Sequence, residues 1–248
     1  MDGSEHQSAI VVRQLEKRFG SQTVLNGIDL TIGKGETVAV LGRSGTGKSV
    51  LLKLLVGLQK PDSGSIQIHG QEITALPPEE LNELRSRIGF LFQEAALYDS
   101  LTLEENVAFP LKHHKNHKQA HQARARELLA VVGMEKDLDK MPSQISGGMK
   151  KRVGLARALA LEPDIVLFDE PTAGLDPITA GEIEELILEL QKERQMSSVV
   201  VTHDLHGARV VADRLALIHE GNILIEGTFD DLKGSSHPFV TQFLREGV

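Results

Sequence analysis

Thr37-Val38-Ala39-Val40-Leu41-Gly42-Arg43-Ser44-Gly45-Thr46-Gly47-Lys48-Ser49-Val50-Leu51-Leu52 is the stretch that decides how the chain is read. Residues 37–41 are a short apolar run of buried-strand type. Residues 42–49 fit the phosphate-loop pattern G-x-x-x-x-G-K-(S/T), and an apolar helical segment follows, closed by Gly57. Strand, glycine-rich loop and helix in that order are the context the pattern requires. Glycines let backbone N–H groups turn inward on phosphates, and the helix N-terminus adds positive potential. Lys48 reaches the terminal phosphates and Ser49 offers a hydroxyl to Mg²⁺. The expectation is a nucleoside triphosphate held by Gly42, Arg43, Ser44, Gly45, Thr46, Gly47, Lys48 and Ser49. The competing reading, a chance glycine-rich turn, does not account for the flanking strand and helix.

Further along, Ile165-Val166-Leu167-Phe168-Asp169-Glu170 sets two adjacent carboxylates just past a second buried strand. That is the strand edge where ligands of parallel sheets collect. In phosphate-loop nucleotidases an Asp so placed holds Mg²⁺ while a further polar group orients the attacking water. Asp169 is therefore assigned to the metal and Glu170 to the water. Ser146-Gly147-Gly148 opens a helix expected over residues 149–160. A helix start with a hydroxyl and bare backbone is a second anion-binding element.

Composition bounds the remaining readings. The chain has 248 residues, 40% hydrophobic and 25% charged, enough for one substantial α/β domain with a subdomain. It contains no cysteine, which excludes a thiol nucleophile, a thiolate metal site and a disulfide framework. The longest apolar runs, such as Leu215-Ala216-Leu217-Ile218, are strand-sized and far short of the ~20 residues of a membrane helix. The polar opening Met1-Asp2-Gly3-Ser4 lacks the basic-then-apolar layout of a secretory signal, so no export is expected. A formal charge of −8 argues against nucleic acid as a partner.

The pattern changes along the chain. Residues 1–76 read as a β-rich, mostly antiparallel layer carrying the phosphate loop, and 77–161 as a mainly helical insertion interrupted by the strand-like run 88–92. Residues 162–234 alternate strand and helix, which argues for a parallel core. Residues 235–248 form a terminal amphipathic helix expected to dock on the body. The fold class is α/β: a phosphate-loop nucleotidase core with an antiparallel β subdomain and an inserted helical one.

Taken in order, the phosphate loop, Gln93 after a strand, Ile145-Ser146-Gly147-Gly148-Met149, Phe168-Asp169-Glu170, Gly174-Leu175-Asp176 and Thr202-His203 resemble the motifs of ATP-binding-cassette ATPases over nearly the whole chain. The resemblance implies ATP and Mg²⁺ as cofactors and a head-to-tail dimer with a second copy of the chain. In that dimer Ser146, Gly147 and Gly148 of one copy face the γ-phosphate held by the other. It also implies that Phe19 stacks on adenine, where Tyr is commoner, and that Gln93 links Mg²⁺ to subunit movement. Asp176 falls in the dimer-communication loop and His203 at the γ-phosphate sensor. Glu170, Lys48 and His203 are thus the expected catalytic set, and Ser49, Gln93 and Asp169 the metal set. Met149 departs from the usual Gln.

One phosphate loop, and 96 residues without sustained heptads between Ser49 and Ser146, favour a transporter ATPase over ribosome-acting or chromosome-type members. Partners would be integral-membrane permease subunits, and the site of action the cytoplasmic face of the inner membrane. Phe92-Gln93-Glu94-Ala95-Ala96-Leu97-Tyr98-Asp99-Ser100-Leu101-Thr102, Glu105-Asn106-Val107-Ala108-Phe109-Pro110-Leu111 and Ser146-Gly147-Gly148-Met149 followed by Lys150-Lys151-Arg152 are similar to the cassettes of MCE-type phospholipid transporters. That likeness implies lipid transport with an MCE-domain protein. An importer for amino acids or metals is the alternative, and a soluble cassette of an iron–sulfur assembly machine the one from another class. His113, His114, His117 and His121 lie in a Lys-rich stretch, where a solvated helix face is the stronger reading than a metal site.

Overall fold

The computed structural model describes residues 8–113 and 121–246. A six-stranded sheet runs β10 (Asn222–Gly227), β9 (Arg214–His219), β3 (Thr37–Leu41), β8 (Ser197–Thr202), β7 (Ile165–Asp169), β6 (Ile88–Leu91). Its five strands from β9 to β6 are parallel. Alternate residues of these strands enter two different cores. Ala39, Leu41, Val166, Phe168 and Val200 face one side, while Val38, Val40, Ile165, Leu167 and Val199 face the other. Both faces are buried, which is why the strands read as unbroken apolar runs rather than alternating ones.

One face is covered by α1 (Lys48–Leu55) and a four-stranded antiparallel sheet ordered β2 (Gln22–Gly33), β1 (Ser8–Phe19), β4 (Ser63–Ile68), β5 (Gln71–Glu72). The other face carries the helices α3 (Leu103–His113), α4 (His121–Val131), α5 (Gly147–Ala158), α6 (Pro177–Arg194) and α7 (Leu205–Val211). It also carries α8 (Phe229–Lys233) and α9 (Pro238–Glu246), the latter docked through buried Val240 and Phe243. The helix α2 (Pro78–Arg85) lies beside β6.

The sequence pattern misplaces two strands. Residues 88–91, read as an interruption of the helical insertion, are the edge strand of the core sheet, parallel to β7 from Ile88 opposite Ile165 to Leu91 opposite Phe168. Glycine makes this possible: a Cβ at Gly89 would stand 2.6 Å from the Ala158 carbonyl, and one at Gly154 would stand 2.8 Å from Leu91 Cδ1. The second strand is β10, which pairs antiparallel with β9. Only Glu220 and Gly221 join the two, both with positive φ (48° and 79°), and so tight a turn admits only a hairpin.

The order β3-β8-β7-β6 brings four chain segments to one edge. Leu41 pairs with Thr202, Asp169 with Val201 and Leu91 with Phe168, so the phosphate loop, Thr202-His203, Asp169-Glu170 and Gln93 all leave the sheet at its carboxyl end. The close approach of α5 to β6 gives a test of this packing. Gly89→Val is expected to lower stability by about 1–3 kcal/mol, read as a drop in Tm of several degrees by calorimetry. An unchanged Tm would contradict the contact.

Candidate nucleotide site

Gly47 stands immediately before α1 with φ 96°, and a Cβ there would lie 2.8 Å from Leu25 Cδ2, so only glycine fits. The turn it permits points the amides of α1 toward the loop. Lys48 is the first residue of that helix and is buried. Its ammonium donates to the carbonyls of Gly42 (2.8 Å) and Arg43 (3.2 Å) and stands 3.6 Å from Glu170 Oε1. Burial pulls its pKa below the ordinary lysine value, against the opposing pull of Glu170 and then Asp169.

Asp169 ends β7 and accepts a 2.8 Å hydrogen bond from Ser49 Oγ through Oδ1. Burial, reinforced by the neighbouring Glu170 charge, raises its pKa, against the pull of the Ser49 bond, Lys53 and Lys151. A hydroxyl and a carboxylate side by side are the hard oxygen donors that suit Mg²⁺, so the residues fit that ion. Glu170 follows with φ 48°, a left-handed conformation that costs a non-glycine residue about 1–3 kcal/mol. Its Oε2 accepts from Thr202 Oγ1 (3.1 Å) and the His203 amide (3.4 Å), and lies 3.0 Å from His203 Nδ1. Its carbonyl accepts from the ammonium of Lys151 at 2.7 Å. Burial lowers the pKa of Lys151, against the opposing pull of Glu94, Asp169 and Glu170.

These groups surround a cavity of about 390 Å³ lined by Phe19, Val24, Ser44, Gly45, Gly47, Lys48, Ser49, Val50, Gln93, Glu170 and His203. Phe19 is 46% exposed, so its ring is not core and offers a face at the mouth. Gly42, Arg43 and Thr46 complete the loop. Thr46 Oγ1 donates to the Arg43 carbonyl at 2.9 Å, whereas the Arg43 side chain turns away, pairing with Glu246 at 2.9 Å and lying over the Phe239 ring.

Ser146, Gly147, Gly148 and Asp176 stand outside that cavity. Ser146 caps α5, its Oγ accepting from the Met149 amide at 3.3 Å, and the helix begins at Gly147 rather than at Met149. A Cβ on Gly148 would meet Thr179 Cγ2 at 2.4 Å, so α5 starts hard against α6. Asp176 caps α6 by accepting from the amides of Ile178 and Thr179. Beside this cluster Ile178 is 79% exposed. The Ser-capped start of α5 is therefore a separate element from the phosphate-loop cavity. Sequence reasoning missed Thr202 as a holder of Glu170 and Lys151 as a holder of its backbone. A lysine on the apolar side of α5 was the available signal. His114 and His117 lie outside the described residues, His121 opens α4, and the described residues contain no metal-holding group of three or more His, Asp or Glu.

A phosphate loop, a buried lysine and two carboxylates at the carboxyl edge of a parallel sheet define a phosphate-loop nucleotidase. The family profile described as "ABC transporter" matches residues 25–173, and the chain belongs to that family as an ATPase domain. It is 43% identical over 237 residues to the "Probable ribonucleotide transport ATP-binding protein mkl" of Mycobacterium tuberculosis, covering 95% of this chain and 66% of that one. It is 43% identical over 227 residues to the "Methionine import ATP-binding protein MetN 2" of Enterococcus faecalis, covering 90% and 66%. The chain thus spans about two thirds of these relatives. Among solved structures it matches the dimeric post-hydrolysis state of the ATP-binding cassette MJ0796 bound to ADP and Pi (TM-score 0.82, 34% identity, 88% of this chain and 98% of that one). It also matches cbiO1 of Clostridium perfringens, part of the complex cbiONQ (TM-score 0.83, 30% identity, 96% of each).

The raised pKa of Asp169 has a consequence for stability. A carboxyl held above its unfolded value disfavours the folded state once ionised; the penalty is absent below about pH 3.8 and complete above the folded pKa. Asp169→Asn keeps an oxygen for Ser49 and removes the charge. It is expected to raise the Tm of the nucleotide-free protein at neutral pH, with the gain vanishing in acid; a lower Tm at pH 7 would contradict this.

Proposed function

We propose that the chain is the ATP-hydrolysing subunit of a membrane ABC transporter and works as a head-to-tail pair of copies on a separate permease. The observation that carries the reading is the setting of Glu170, whose carboxylate is held between Lys48, Thr202 and His203 at the mouth of the phosphate-loop cavity. A carboxylate so fixed is oriented to accept a proton from an attacking water. Lys48 supplies positive charge to the transferring phosphoryl group, and the amides at the start of α1 supply further donors. His203 steadies Glu170 and faces the same cavity. Mg²⁺, held by Ser49, Asp169 and Gln93, would neutralise charge on the β- and γ-phosphates. Phe19 offers the ring on which adenine stacks.

The second anion-binding element supports the paired arrangement. Ser146 and Gly147 are exposed at the start of α5, with Gly148 buried behind them, all outside their own chain's cavity and next to Asp176 and the exposed Ile178, so this helix start is available to a second copy. The relative MJ0796 is dimeric with ADP and Pi, which supports the same reading. For the permease, a groove of about 450 Å³ lies beside Gln93, lined by Phe90, Phe92, Tyr98, Phe109, Pro110 and their neighbours. Phe90 stacks on Phe92, and Tyr98 is 46% exposed, leaving an aromatic floor for an inserted helix.

For the cargo we propose phospholipid, with an MCE-domain protein as partner, on the likeness of residues 92–102, 105–111 and 146–152 to that group. Import of an amino acid is the second reading, favoured by the methionine-import relative. Co-purification from native membranes with mass spectrometry separates them: an MCE-domain protein and phospholipid support the first, a different permease the second. For the enzyme itself, Glu170→Gln is expected to bind ATP, accumulate a closed dimer and lose about 10²–10⁴-fold in turnover. Turnover at the parent rate would sink the assignment. Lys48→Ala is expected to lose ATP affinity by calorimetry, and unchanged affinity would argue against the phosphate-loop role.

A further inference from the structure

Glu170 occupies a backbone conformation that its own chemistry disfavours. A non-glycine residue persists at φ 48° only where its surroundings over-determine it. Its amide donates to the Val201 carbonyl at 2.9 Å, and its carbonyl accepts from the Ala173 amide at 3.2 Å and from Lys151 Nζ at 2.7 Å. The first two bonds come from the adjacent strand and the following turn. The third arrives from a different layer, across 19 residues, from the second turn of α5.

Lys151 is 5% exposed. Burying an ammonium costs far more than burying an apolar side chain of the same length, so packing alone does not account for a lysine here. Nor is it placed to touch nucleotide directly: it does not line the phosphate-loop cavity, whereas Lys48 and Glu170 do. Its one hydrogen bond to the site goes to the Glu170 carbonyl, and its charge also acts on Asp169.

We propose that Lys151 is a positioning residue, a strut from α5 that fixes the left-handed turn at Glu170 and thereby aims its carboxylate at the phosphate loop. Because α5 begins at the Ser146 cap, the strut also ties the Ser146-Gly147-Gly148 element of one site to the water-orienting carboxylate of the other. A displacement of α5 then acts on the Glu170 backbone directly through this bond. This inference rests on the ATPase reading given above.

The test is steady-state Mg-ATP hydrolysis by the full chain bearing Lys151→Met, which keeps an unbranched apolar stem and removes the donor, or Lys151→Arg, which keeps a donor. Lys151→Met is expected to lower kcat about 10- to 100-fold, as a small misplacement of a catalytic group does, with KM for ATP held within about twofold. Lys151→Arg is expected to restore most of kcat. ATP affinity measured by calorimetry on Glu170→Gln should be the same with and without Lys151→Met, which reports an intact fold and binding site. Parent-rate turnover by Lys151→Met overturns the proposal, and so does joint loss of affinity and kcat with no rescue by Lys151→Arg. A parent chain that hydrolyses no ATP would overturn the ATPase reading and this proposal with it, and is distinguished by failing before any variant is made.

Discussion

The contact between the Lys48 ammonium and the Glu170 carboxylate, 3.6 Å apart and both buried, is the constraint around which the rest of the molecule is arranged. Neither charge is cheap to bury alone, and a pair repays that cost only with further hydrogen bonds on both sides. Those bonds come from separate strands: Gly42 and Arg43 carbonyls after β3, Thr202 and His203 at the end of β8, and Glu170 itself after β7. The parallel sheet, with β8 between the other two, is what brings the three strand ends together. Apolar burial on both its faces holds them in register.

The same cluster is destabilised by the burial of its charges. Asp169 has its pKa raised and Lys48 and Lys151 have theirs lowered, in each case chiefly by burial. Glu170 adds a disfavoured backbone conformation. Strain and buried charge gathered at one strand edge are characteristic of a site shaped for a ligand rather than for stability. A polyanion with its counter-cation would meet an ammonium, a row of amides and oxygen donors already oriented, so little reorganisation remains when charge shifts during phosphoryl transfer.

The phosphate loop was legible because its chemistry is local: strand, turn, glycines, lysine and helix are consecutive. Asp169 and Glu170 were legible for the same reason, as carboxylates directly after an apolar run. What the sequence concealed depends on sheet order and long-range approach. Residues 88–91 look like any short strand, and nothing within them says they pair with β7; the information lies in Gly89 and Gly154, which allow α5 to settle against that edge. The antiparallel β10 was hidden in the two-residue turn Glu220-Gly221. Arg43 reads as a loop residue, yet its side chain reaches Glu246, 203 positions away. Lys151 looks like one more cation in a basic run until its burial and its single carbonyl partner are seen.

On the function proposed above, a chain whose cavity holds Lys48 and Glu170, but whose Ser146-Gly147-Gly148 element stands outside it, binds ATP by itself and needs a second copy to hydrolyse it. The most direct test is the specific ATPase rate, per mole of chain, measured with saturating Mg-ATP over a wide range of chain concentration. The account predicts a specific rate that rises with concentration, as assembly of two copies requires, and then levels off. A specific rate that is constant and substantial down to the lowest concentration would show that one chain hydrolyses ATP alone and would contradict the account.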